Sequence, residues 1–91
     1  MRDAPTETVT LVYLARLRDA FGAASEHVQL PPGVATAAEL RAWLAQRGGV
    51  WAAELAPTRA VRIAINHDIA QPDTPVHAGD EIALLPPVTG G

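Results

Sequence analysis

The chain has 91 residues, a formal net charge of -3 at neutral pH and 48% hydrophobic residues, which predicts one globular domain with a modest core. The negative charge argues against nucleic acid and anionic membranes as partners, because both attract basic surfaces. The polar N-terminal residues carry no apolar signal core and no apolar run is long enough to span a membrane, so we expect a cytoplasmic protein.

The first third of the chain predicts two strands joined through a short helix. Residues 8–14 are β-branched, aromatic and apolar, which indicates a strand with alternate residues from Val9 on one face. Residues 15–22 are typical of a short helix that ends at Gly22. Residues 25–31 alternate in polarity, which indicates a second strand antiparallel to the first.

The clearest predicted element is a helix over about residues 36–47. Thr36 and Glu39 have the spacing of a capping box, in which each side chain accepts a hydrogen bond from the other residue's backbone. Leu40 and Leu44 follow one turn apart, so we expect them to pack on a sheet. Two consecutive glycines then end the helix.

The second half predicts a short helical turn around residues 51–55 and then further strands. Residues 60–66 alternate in polarity, and residues 66–69 form a turn into a very short return strand. A Pro- and Gly-rich turn precedes the last strand at residues 81–86.

This order of elements predicts an α+β fold of the β-grasp type. We expect a mixed sheet of four to five strands crossed by one main helix, with short extra helices. The first and last strands can lie at the centre, parallel to each other. Residues 1–7 form a short extension, residues 8–85 the domain and residues 86–91 a projecting tail.

The sequence offers no standard catalytic centre. Cysteine and lysine are absent, and the only serine, Ser25, lies outside any nucleophile-elbow motif. The acidic residues and histidines His67, Asp68, His77 and Asp80 match no standard spacing of metal ligands. We therefore expect solvated turn residues there, no metal site and no permanently bound cofactor.

The C-terminal sequence PPVTGG is the most unusual segment. Pro86 and Pro87 favour an extended stalk, and Gly90 and Gly91 have no side chains that would block a narrow channel. The α-carboxylate of Gly91 becomes an acyl donor once ATP adenylates it. A sulfur nucleophile could then convert it to a C-terminal thiocarboxylate, which stores sulfur without a cysteine.

Two apolar residues near this tail have no local reason to be exposed. Ile69 lies beside a polar turn, and Leu85 lies at the end of the last strand. Ordinary packing at a sheet edge is one explanation for them. Together with the tail they predict a docking patch for a partner protein.

Four stretches of the chain resemble one known family. They read VYLARLRDAFG, VATAAELRAWLAQR, RIAINHDIA with its Asn66, and VHAGDEIALLPPVTGG. In them the chain resembles the small subunit of molybdopterin synthase, a MoaD-type sulfur carrier with a ubiquitin-like β-grasp fold. The last stretch is the most specific, and together the four span nearly the whole chain from Thr8.

The resemblance implies that an E1-like, MoeB-type enzyme adenylates Gly91 with ATP. A sulfur donor such as a cysteine desulfurase or a rhodanese would then supply the thiocarboxylate sulfur. The carrier would dock on the MoaE-type large subunit, commonly as a heterotetramer. There it would give sulfur to the cyclic pyranopterin monophosphate, forming the molybdopterin dithiolene. The catalytic side chains would belong to the large subunit, so the chain would not be an enzyme on its own.

The resemblance also assigns residues. It implies Gly91 as the reacting position, a threaded stalk, and apolar contacts to the partner. The stalk consists of Pro86, Pro87, Val88, Thr89 and Gly90, and the apolar contacts are Ile69, Leu84 and Leu85. One departure concerns the last strand, because family members often have aromatic residues where this chain has two leucines.

Three alternatives remain at this point. A sulfur carrier for thiamine synthesis shares the fold and the Gly-Gly end, but usually lacks this stalk. A ubiquitin-like modifier would be conjugated to lysines of target proteins through Gly91. A binding module with an incidental tail is the third.

Overall fold

The structure is a computed structural model that describes residues 8–86. The predicted extension at residues 1–7 and most of the predicted tail, residues 87–91, lie outside the described residues. The strands are β1 (Thr8–Tyr13), β2 (Ser25–Gln29), β3 (Arg62–Ile65), β4 (Asp68–Ile69) and β5 (Glu81–Leu85). The helices are α1 (Arg16–Phe21), α2 (Ala37–Ala45) and α3 (Gly49–Glu54).

The five strands form one mixed sheet in the order β2-β1-β5-β3-β4. Strands β1 and β5 are parallel neighbours, with Leu11 opposite Ile82, and the other neighbouring pairs are antiparallel. The prediction that the first and last strands lie side by side in parallel is therefore confirmed. The last strand of the chain is the central strand of the sheet.

Alternate residues of these strands form the core, as their pattern predicts. One face of the sheet is apolar and packs against α2, whose Leu40 and Leu44 are completely buried. The buried strand residues on this face are Val9, Leu11, Tyr13, Ile63, Ile65, Ile82 and Leu84. Burial of each large apolar side chain contributes about 1.5–3 kcal/mol, so this face supplies much of the folding free energy.

The predicted capping box starts α2. The Thr36 hydroxyl accepts a hydrogen bond from the Glu39 backbone amide at 3.2 Å, and the Glu39 carboxylate accepts one from the Thr36 amide at 3.1 Å. The helix ends at Ala45, two residues before the predicted end. The next amides bond carbonyls only three residues back, which tightens the last turn before Gly48 reverses the chain into α3.

The capping box generates a stability prediction. Replacing Thr36 with alanine removes the hydroxyl acceptor, so the free energy of unfolding should fall by about 1 kcal/mol in urea titrations. Thr58→Ala, at an exposed position outside the helices, is the matched control and should change stability by much less. Equal losses in the two variants would contradict a specific role for the cap.

A tight turn joins β3 to β4. Asn66 and His67 both have positive φ, 51° and 75°, which is the geometry of a two-residue type I′ hairpin. The Asn66 side chain also donates to Asp80 at 3.0 Å and accepts from the Glu81 amide at 3.0 Å. The turn is therefore bonded to the start of β5, and this fixes the edge strand that carries Ile69.

A polar and aromatic cluster, here called the Glu26 cluster, joins distant parts of the chain. It consists of Tyr13, Phe21, Glu26, Arg47 and Trp51. The Tyr13 hydroxyl donates to the Glu26 carboxylate, and the Arg47 guanidinium donates to the same carboxylate at 2.8 Å. Arg47 also lies 4.4 Å from the centre of the Trp51 ring, which stacks on Phe21. The cluster thus connects the sheet to α1, to α3 and to the turn that follows α2.

The ionisation of this cluster follows from its contacts. The hydrogen bonds from Arg47 hold the pKa of Glu26 below its usual value. Burial, followed by the contact with Glu26, raises the pKa of the Tyr13 hydroxyl far above its ordinary value. Tyr13 therefore stays protonated as a donor, and Glu26 stays charged as an acceptor.

The lowered pKa of Glu26 predicts a pH-dependent stability. A carboxyl group with a depressed folded pKa stabilises the fold above its unfolded pKa of about 4.3, and this contribution is lost as the pH falls through the folded value. Wild type should therefore exceed Glu26→Gln in unfolding free energy at pH 7. The difference should shrink as the pH falls below about 4. Ser25→Ala, at the exposed neighbouring position without an ionisable side chain, should differ from wild type by an amount that does not depend on pH.

Candidate functional site

The candidate site is the end of β5, where the tail begins. Leu85 pairs with Arg62 of β3 on one side, and the Leu14 amide donates to the Leu84 carbonyl at 3.2 Å on the other. Because neighbouring strands hold this position on both sides, the tail starts from a fixed point of the sheet. Pro86, which is half-buried, is the last described residue.

Most of the predicted tail cannot be placed here. Pro87, Val88, Thr89, Gly90 and Gly91 lie outside the described residues. Their assignment as a threaded stalk with a reacting C-terminus therefore stays a prediction.

Leu84 corrects one predicted contact. Its side chain is 0% exposed and belongs to the core, whereas Leu85 on the opposite face of β5 is half-buried. Leu84 therefore cannot touch a partner in this fold, and its assignment to the partner interface is wrong. Its alternation with Leu85 along the strand already carried the signal, since neighbouring strand residues face opposite sides.

An apolar patch surrounds the start of the tail on the face of the sheet that lies opposite α2. The register places Val12 beside Ala83, Ala83 beside Ala64, and Ala64 beside Ile69, so these side chains share that face. Leu85 lies two residues after Ala83 and faces the same side. We call the five residues the outer patch. Ile69 is 56% exposed, the largest value among the exposed large hydrophobic residues described.

Leu14 extends this surface and was not assigned from the sequence. It follows β1, is 37% exposed and bonds the backbone of β5 next to Leu85. The alternation in β1 places it on the same face as Val12, so the pattern could have identified it. Leu14 is far from the tail in sequence but lies beside the start of the tail in the sheet.

The two leucines of β5 give a matched stability prediction. Leu84→Ala should lower the free energy of unfolding by about 2–5 kcal/mol, because it leaves a cavity in the core. Leu85→Ala removes the same atoms from a half-buried position and should cost well under half as much. Denaturant titration of the two variants measures both values, and similar losses would contradict the assigned faces.

The histidines and carboxylates that the sequence analysis weighed as metal ligands lie at the other end of the sheet. The Asp80 carboxylate accepts from the His77 amide at 2.7 Å and from Asn66 at 3.0 Å, and His67 lies 3.4 Å from Glu81. These contacts stabilise the turn between β3 and β4 and the turn that precedes β5. Within residues 8–86, no three His, Asp or Glu side chains are grouped so that they could hold a metal ion.

A groove of about 680 Å³ lies between α2 and the β3–β4 edge. Arg41 lines it and donates to the carbonyls of Leu55 at 3.1 Å and of Ala56 and Arg59 at 2.6 Å. These carbonyls follow α3, so the Arg41 side chain satisfies acceptors at a helix end. Its partial burial lowers its pKa. The described helices include none long and apolar enough to cross a membrane.

Comparison with known proteins identifies the family of this chain. The sequence model of the ThiS family matches residues 11–91. The chain belongs to the ThiS family. A relative in this family, the molybdopterin synthase sulfur carrier subunit of Haemophilus influenzae, is 37% identical over 91% of this chain and 99% of its own length. The subunit of the same name from Escherichia coli is 29% identical over the same shares. The resemblance to MoaD-type proteins is thereby confirmed.

A solved structure has the same fold as this ThiS-family chain. Small archaeal modifier protein 1 from Haloferax volcanii superposes with a TM-score of 0.70 at 22% identity, covering 89% of this chain and 98% of that chain. At this identity the likeness speaks for the fold alone. The predicted ubiquitin-like β-grasp fold is confirmed, with five strands and three helices in the described part.

Proposed function

We propose that this chain is the sulfur-carrier subunit of a molybdopterin synthase. The observation that carries the proposal is the PPVTGG sequence directly after the central strand, in a chain whose relatives bear that name over almost their whole length. The chain itself supplies a rigid body, a docking face and a terminal carboxylate. Cysteine is absent from the sequence, so the sulfur would reside on the terminus.

The proposed chemistry takes place at the α-carboxylate of Gly91. A carboxylate oxygen attacks the α-phosphorus of ATP and pyrophosphate leaves, giving an acyl adenylate. The outer sulfur of a persulfide on the donor then attacks the acyl carbon and AMP leaves, which gives an acyl disulfide. A thiol attacks the donor's sulfur in this disulfide, forms a new disulfide with the donor and releases the thiocarboxylate. The thiocarboxylate sulfur finally attacks an oxygen-bearing side-chain carbon of the cyclic pyranopterin monophosphate, and the oxygen on that carbon leaves. Hydrolysis of the resulting acyl link leaves the sulfur on the pterin and restores the carboxylate.

The partners follow from these steps. A MoeB-type activating enzyme would carry out the adenylation, and a cysteine desulfurase or a rhodanese would supply the sulfur. A MoaE-type large subunit would receive the tail and provide the catalytic side chains. Ile69 and Leu85 of the outer patch would contact these partners, and residues 86–90 would thread toward the reacting centre.

Deletion of Gly91 tests the carrier function. The variant should lose sulfur loading completely, because the next carboxylate lies one residue too far back. Its melting temperature should match wild type, since the buried core described above lies between residues 9 and 84. The measurement is intact mass after incubation with the activating enzyme, ATP and a sulfur donor. Wild type should gain the mass difference between sulfur and oxygen.

The same experiment separates the alternatives. An unchanged wild-type mass under these conditions would contradict the proposal. Higher-mass species with isopeptide links to lysines would instead indicate a protein modifier. Reconstitution with the large subunit and the pterin precursor should yield the dithiolene. A loaded carrier that transfers its sulfur only in thiamine synthesis would assign it to that pathway.

A further inference from the structure

Charge is unevenly distributed along the axis of the sheet. We call the end of the sheet where β5 stops at Leu85 the tail end. The strand register shows that β1 also ends there, and that β3 and β2 begin there. The start of α1 lies at the same end, because α1 follows β1 after two residues.

The tail end is basic. Arg47 is exposed there and paired with Glu26 at 2.8 Å. The other exposed arginines at this end are Arg16, Arg18, Arg59 and Arg62. Two carboxylates, Asp19 and Glu54, lie among these four arginines, so the six groups sum to a formal charge of +2. Glu54 lies between two of the arginines, 2.9 Å from Arg16 and 3.7 Å from Arg59. The single negative charge of Glu54 therefore neutralises only one of these two positive charges.

The opposite end is acidic. Asp68 follows the end of β3, and Asp80 and Glu81 lie at the start of β5. Asp73 belongs to the segment whose carbonyls bond the first amides of α2, and Glu39 lies in the first turn of that helix. Among residues 8–86, these five carboxylates have no arginine beside them at this end. Within residues 8–86, the exposed arginines of this protein of net charge -3 therefore lie at the end where the tail begins.

Arg62 connects this charge to the docking face. It is exposed and lies directly opposite Leu85, so both side chains project from the face that carries the outer patch. A charged residue beside an apolar centre is the usual arrangement of a protein interface, in which arginine is enriched. Such a rim charge mainly raises the rate of association and selects the partner.

We propose, on the basis of the carrier function, that the tail end docks on an acidic protein surface. In this arrangement, carboxylates surround the opening that accepts the tail, and Arg62 and Arg59 face them. The opposite charges of the two ends orient the carrier before contact, so that the tail points toward the opening.

The charge of the terminal carboxylate does not oppose this arrangement. Five residues follow Pro86, and a fully extended chain of that length reaches at most about 18 Å. Electrostatic interactions are screened over about 8 Å at physiological ionic strength. The arginines of the tail end and the carboxylate of an extended tail would therefore contact different parts of the partner.

The spread of the arginines favours a protein surface over a single phosphate. They start from α1, from the loop after α3 and from β3, and Glu54 already holds two of them. A phosphate site needs donors that converge on one point, whereas these groups are distributed around the outer patch.

The test is the association rate of the carrier with the large synthase subunit from the same genome, measured by stopped flow at several salt concentrations. Arg62→Glu should reduce the rate about tenfold at low salt, and the difference from wild type should vanish at high salt. The control is the double variant Gln29→Glu with His77→Glu. It changes the net charge by the same two units at the exposed opposite end and should stay within about twofold of wild type.

Each outcome decides the proposal. If Arg62→Glu and the control associate equally fast while wild type still accepts and transfers sulfur, the acidic surface is refuted and the carrier function stands. If wild type neither binds the large subunit nor gains sulfur, the proposed function fails and this inference fails with it. An unchanged association rate with a raised KM for ATP would assign the arginines to the nucleotide and overturn the proposal. If Arg62→Glu has a lower melting temperature than wild type, the association rate of Arg59→Gln is measured instead, because Arg59 lies in a loop.

Discussion

The central position of β5 is the constraint on which the rest of this structure depends. Its backbone bonds β1 on one side and β3 on the other, and its Ile82 and Leu84 are completely buried. A strand held in this way cannot shift in register without moving its apolar side chains to the wrong face. The tail therefore begins at a defined place and in a defined direction, beside the outer patch.

The sequence predicted most of the fold because the decisive signals are local. Alternation in β1 and β5, the Thr36–Glu39 spacing and the Asn66 turn each depend on residues close together in the chain. The Glu26 cluster could not be predicted, because its members meet only after the sheet and helices pack. The alternating pattern of residues 25–31 assigns no such role to Glu26, whose carboxylate joins Tyr13 to Arg47.

The candidate site was predicted less completely than the fold, and for a physical reason. The resemblance assigned Leu84 to the interface, but Leu84 faces the core. Leu14 and Val12 reach the face that carries Leu85 from a different strand. The charge of the tail end likewise depends on topology. A composition with more acidic than basic residues gives no hint that the described arginines gather around the end of one strand.

The pairing of β1 with β5 also determines when the protein can fold. These strands lie near opposite ends of the described chain, so the sheet cannot close until almost every residue has left the ribosome. A chain cut within β5 loses its central strand along with its terminus. It would remain unfolded and open to proteolysis, instead of persisting as a folded competitor that occupies partners without a reactive end.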